Sequence, residues 1–207
     1  MNQKRFPTKV WPEQALNLGA LVLLSAILPL SGCSQDVVHQ RSMAELNEKA
    51  QTMMKSGDYA GAASRLEAAH DLEPDEPNTT YNLAVAYQTQ GEYPKALAIF
   101  SQLLEKPGPE GSPMSKPEIH KAMGITCEAQ ADKLEAQAKT LEGEAKGDKS
   151  KAQMVAHEAD LNLQQALMHY REALPGLKNP EPINAQIQAI ETKLKKTEAD
   201  TQSPAVQ

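Results

Sequence analysis

The chain has 207 residues, a formal net charge of −6 and only eight aromatic residues, of which Phe6 and Trp11 lie close to its start. Few aromatics among abundant Ala, Leu, Glu, Gln and Lys disfavour a β-sandwich or barrel and suit stacked helices. No basic run stands out after residue 10, so the stripe that a nucleic-acid binder uses to displace counterions is missing, and no nucleic-acid partner is expected.

In chain order, the first segment is an address. Lys4, Arg5 and Lys9 precede an uncharged stretch from Ala15 to Leu30, and a basic start followed by a short apolar run is the pattern of an export signal. The run is shorter than the roughly 20 residues that span a bilayer comfortably as a helix. It closes on Leu30-Ser31-Gly32-Cys33.

That tetrapeptide resembles a bacterial lipobox. The resemblance implies cleavage after residue 32 and a lipid-modified (palmitate-type) Cys33 at the new N-terminus. Two or three acyl chains would hold the protein firmly, at about 0.8 kcal/mol per buried methylene. The alternative reading is an uncleaved anchor with an incidental cysteine. Loss of residues 1–32 removes Lys4, Arg5, Lys9 and Glu13 and takes the charge from −6 to −8. An acidic body should stand off an anionic membrane. Ser34, in place of Asp, points by the same resemblance to the outer membrane, facing the periplasm, of a diderm cell. Residues 33–41 are expected to be lipidated cysteine and linker.

Slid against itself, the body repeats every 34 residues. Gly57-Asp58-Tyr59 returns as Gly91-Glu92-Tyr93, Ala62 as Ala96, Leu66 as Phe100, Ala50 as Ala84 and Met53 as Tyr87. This spacing and residue order resemble the tetratricopeptide repeat (TPR) family, a solenoid of helix-turn-helix units. The resemblance implies an all-α domain over 42–198 with units at about 43–76, 77–110 and 117–180. Small residues at Ala50, Ala62, Ala84 and Ala96 let the paired helices approach, and Gly57 and Gly91 can end each first helix in the left-handed conformation. Lys49 stands where the second unit has Leu83, so the first unit should pack more loosely on its outer side.

The third unit begins after a breaker-rich connection, residues 106–117, with four prolines and two glycines. Met123-Gly124 aligns with Leu83-Ala84, yet the matching second helix, with Ala166, Tyr170 and Ala173, comes only after about 30 extra residues. Within them Cys127, Ala131, Leu134, Ala138, Leu141 and Ala145 step by fours and threes. Ala152, Val155, Ala159, Asn162 and Ala166 do so on the return. Such spacing on both sides of Gly147-Asp148 predicts an antiparallel helical hairpin at about 128–162. Its first arm would project on the order of 30 Å and contribute little to the repeat core. A helix over 182–198, with Ile183, Ile187, Ile190 and Leu194 on one stripe, should cap the solenoid. Residues 199–207 read as a disordered tail.

Chemistry is harder to find. His157-Glu158 opens like a zincin helix but lacks the second histidine four residues on. His39, His70, His120 and His169 fall on different elements and read as solvated or half-packed. Cys127 occupies a packing position and reads as a small buried hydrophobe. Gly143 and Gly147 do not follow a strand and form no phosphate loop. No catalytic residue, metal or cofactor is therefore expected.

What TPR units offer is a groove lined by the first helix of each. The family's groove positions fall on Asn47, Gln51 and Met54, then on Asn78, Tyr81, Val85 and Gln88, then on Lys121, Ile125 and Glu128. That mixture of amides and apolar groups suits an extended peptide or a partner helix. Asn82 fits the family's carboxylate clamp, whereas Glu48 and Ala122 stand where other clamp members would be needed. The expected function is a membrane-anchored interaction scaffold in the cell envelope, holding envelope proteins of unknown identity. A pilotin-like chaperone for a secretin or type IV pilus is the alternative, and an envelope enzyme lacks any nucleophile, metal or acid pair.

Overall fold

The structure, a computed structural model, describes residues 31–143 and 148–202. The chain divides at His39, and the repeat domain lies in the unit Gln40–Gln207. Among the described residues there are seven α-helices and no strand. They are α1 (Ser31–Ser56), α2 (Tyr59–Leu72), α3 (Pro77–Gln90), α4 (Tyr93–Glu105), α5 (Lys116–Gly143), α6 (Lys149–Ala173) and α7 (Glu181–Gln202). A 3-10 turn, Leu174–Gly176, follows α6. The first unit pairs α1 with α2, the second α3 with α4 and the third α5 with α6, as the repeat implies.

Local chemistry sets the turns. Gly57 and Gly91 have φ of 83° and 80°, a region costly for residues with a Cβ. Each lets the chain fold back, with Asp58 N–H donating to Met53 O at 2.9 Å and Glu92 N–H to Tyr87 O at 3.0 Å. The Asp58 carboxylate then caps α2 by accepting from Gly61 N–H at 2.8 Å. Pro77 and Pro94 sit in the first turns of α3 and α4, where a missing N–H breaks no helical bond.

The core is a row of clusters. Ala50, Ala62 and Leu66 pack with Leu83, and Ala84, Ala96 and Phe100 pack with Ile119 and Met123. The four expected contact alanines are fully buried. Lys49 is exposed and reaches only Glu45, at 2.8 Å, in keeping with a looser outer side to the first unit.

The third unit is expanded as expected: its two helices simply continue outward, 28 residues in α5 and 25 in α6. Ala131, Ala138, Ala152, Ala159 and Ala166 are buried along the seam, with Leu134 and Val155 half-buried. Asn162 is buried too, its amide donating to Glu158 O at 2.8 Å. Asp148 caps α6 by accepting from Lys151 N–H at 3.0 Å. Ala145 and Gly147 lie outside the described residues.

Three expectations change. Residues 33–41, read as linker, lie within α1; no Gly or Pro separates Ser34 from Ser56, so the helix extends backward at one hydrogen bond per residue. The cap extends beyond the expected 182–198, and residues 199–202, assigned to the tail, are helical in α7; the remaining five residues lie outside the described part. Most consequential, the cap supports the hairpin. Ile183, Ile187, Ile190 and Leu194 pack into one cluster with Cys127, Ala131, Leu134, Ala159 and Leu163. Lys193 bridges α7 to Asp132 at 3.2 Å and Glu135 at 2.6 Å. The proximal half of the projection is therefore part of the core.

Candidate partner-binding groove

The first helices of successive units adjoin. The amide of Asn47 on α1 donates to the Thr79 hydroxyl on α3 at 2.9 Å, while Tyr81 and Val85 on α3 join the cluster containing Ala122 and Met123 of α5. The expected groove residues thus lie on the first helices of successive units, α1, α3 and α5.

They differ in what remains available for a ligand. Asn47 is engaged with Thr79, and Lys121 pairs with Glu118 one turn earlier. Glu128 is committed most deeply. Its carboxylate accepts from the Tyr170 hydroxyl at 2.7 Å and from the Gln186 amide at 2.7 Å, joining α5, α6 and α7. Burial and the Glu128 carboxylate together push the Tyr170 hydroxyl far above the usual phenol range. Asn78 donates to Glu76 but is exposed. Met54 is half-buried against the first cluster.

Gln51, Val85, Gln88 and Ile125 present at least part of their side chains to solvent, Ile125 with 44 % of its surface exposed. Tyr81 is half-buried, edge-on to Phe100 with ring centroids 6.0 Å apart. Burial first, and then Glu118, raise its phenol above the usual range, so it offers a neutral hydroxyl on an apolar ring. The available strip is uncharged: amides, aliphatic groups and one phenol.

Other chemistry is sparse. Cys127 is 1 % exposed, and burial pushes its thiol up to about 11, the behaviour of a packed hydrophobe rather than a nucleophile. Among the described residues no three His, Cys, Asp or Glu side chains gather into a metal-binding set. An open cleft of about 380 Å³, lined by His70, Pro77, Thr80, Leu103 and Lys106 among others, lies between the ends of α2 and α4. Lys106 and Asp75 pair across its residues at 3.0 Å. Sequence reasoning missed one pairing: His120 and His169, read as separate, meet across α5 and α6 with their Nδ1 atoms 3.2 Å apart. They are 49 residues apart in the chain, and no periodic spacing could have joined them.

Residues 53–110 match the tetratricopeptide repeat family model. The match takes in the end of α1 and all of α2, α3 and α4. Neither curated proteins nor solved structures give a match to the chain. The matched segment, with the all-helical fold and the adjoining first helices, supports a protein–protein interaction scaffold.

Proposed function

We propose that this TPR protein is a lipid-anchored scaffold of the bacterial cell envelope that holds a partner peptide or helix in the groove of its first helices. The observation that carries the binding reading is the uncharged strip of Gln51, Tyr81, Val85, Gln88 and Ile125 on adjoining helices, set among residues already satisfied within the fold. An uncharged groove selects a ligand by backbone-amide pairing and apolar anchors rather than by charge. A second surface supports a role for the projection. Met154, Leu161 and Met168 are exposed on α6 at intervals of seven, the spacing of one helix face.

The anchor rests on the basic start, the uncharged run and Leu30-Ser31-Gly32-Cys33. Among the described residues no helix is long and apolar enough to cross a membrane. Service as a pilotin-like chaperone for a secretin is the narrower form of the same proposal. The binding reading is tested by crosslinking and affinity capture from the protein's own envelope, with Ile125→Lys as the control. The charge should abolish capture of the partner while leaving the helical spectrum intact. Undiminished capture by that variant would place the binding surface elsewhere.

A further inference from the structure

Among the described residues five large hydrophobic side chains are exposed, and three of them, Met154, Leu161 and Met168, lie on α6. A step of seven residues falls about 20° short of two full turns. The three therefore keep to one narrow face, turned away from the buried seam of Ala152, Ala159 and Ala166. That face is symmetric about Leu161. His157 and Gln165 stand four residues to either side of it, Met154 and Met168 seven, and Ser150 and Glu172 eleven, and all are exposed. A two-fold interface requires such a pattern, because residue i of one copy must meet j of the other while j meets i. From it we propose that this face of α6 pairs antiparallel with α6 of a second copy of the chain, with Leu161 on the two-fold axis.

Electrostatics selects the antiparallel direction. In this register Glu172 reaches the level of Ser150 on the second copy, in the first turn of that copy's α6. The N-terminal end of a helix favours a carboxylate. Lys151, exposed on the same side of the stripe, adds a cation there. Arg171 falls on the other side, where Glu191 of α7 takes it up at 2.7 Å. A parallel pair would instead set Glu172 against Glu172 and Lys151 against Lys151. Met154 meets Met168 in the outer layers, and the thioether side chain suits a contact that must adjust. The contact runs about 33 Å from Ser150 to Glu172 but holds few apolar layers. It is small beside the roughly 1,200–2,000 Å² of stable complexes, so the dimer is weak and reversible. It does not depend on the groove of α1, α3 and α5.

The test is crosslinking of the full chain in intact cells by a short, cell-permeant bis-maleimide. Leu161→Cys should give a covalent dimer well above the background set by Gln102→Cys, an exposed position on α4. Met154→Cys alone should stay at background, because its two copies would lie about 21 Å apart along the paired helices. Co-produced with a differently tagged Met168→Cys chain, it should crosslink efficiently. Leu161→Glu added to both chains should cut that yield at least about tenfold, since two like charges would meet at the axis. Leu161 is exposed, so circular dichroism of the purified Leu161→Glu chain should match the wild type. Ile125→Lys should leave every yield unchanged, which separates this contact from the groove. A background yield for Leu161→Cys, or equal yields from Met154→Cys alone and the mixed pair, overturns the proposal. Crosslinking of Leu161→Cys to a different protein instead of to itself also overturns it and gives the face to another partner.

Discussion

At the scale of single residues, close approach is set by what a side chain leaves out. A Cβ on Gly124 would lie 2.5 Å from the ring of Tyr170, which is itself 1 % exposed and bonded to Glu128. Gly124→Ala should therefore force this ring out of place and cost about 1–3 kcal/mol, the usual range for overpacking. Gly143→Ala meets nothing within 4 Å and should be neutral or stabilising by up to about 1 kcal/mol. Urea unfolding of the two variants gives the comparison, and equal midpoints would mean that the α5–α6 junction is packed differently. The histidine pair adds a pH dependence. Burial above all holds both imidazoles below their ordinary value, so the unfolded chain takes up protons first. Their contribution to stability is complete above a pH of about 6.5 and is lost as the pH falls from there toward the folded-state values. The melting temperature should fall on acidification across this window. His120→Gln should flatten that fall; an unchanged slope would assign the acid sensitivity to other groups.

At the scale of elements, the lengthened third unit is two helices braced by a third. The alanine-rich seam buries little apolar area per residue, and α7 compensates at the base with Ile183, Ile187, Ile190 and Leu194. Lys193 contributes there as well. Partial burial works against its charge, but hydrogen bonds to Glu135 and Asp132 outweigh this and raise its proton affinity. Two deletions separate base from tip. Replacing residues 139–151 with a short turn spares Asp132, Glu135, Leu134 and Ala159, and should keep a cooperative melt. Replacing residues 130–160 removes all four of these partners and should release α7, seen as faster amide exchange over residues 181–199 and a broader transition. If both deletions melt alike, the cap does not depend on the hairpin.

At the scale of the whole molecule, the proposed tether and the groove divide the work. One end would be held by acyl chains at Cys33, while the repeat units present an uncharged strip. The repeat body would carry −8 after processing and be repelled by anionic headgroups, which leaves the groove open to a partner. Cys33→Ala should leave an unprocessed precursor that incorporates no labelled fatty acid. Unchanged processing and labelling in that variant would sink the lipoprotein reading.

Much of this molecule was legible in the sequence because its signals are local and periodic. The 34-residue spacing located the paired helices, Gly57 and Gly91 marked their turns, and alternating threes and fours from Cys127 to Ala166 traced the hairpin seam. Such patterns reflect helix geometry, which each segment carries in itself. The family resemblance implied the groove positions, but not which of them are already committed: the Glu128 carboxylate is satisfied by Tyr170 and Gln186, which lie 42 and 58 residues away in the chain. The stripe on α7 announced a capping helix without saying what it caps, since an apolar face specifies burial and not a partner. The meeting of His120 with His169 depended on how far α5 and α6 run and on the rotation of each about its own axis. Those quantities emerge only when side chains from distant segments compete for the same space, and tertiary packing alone decides them.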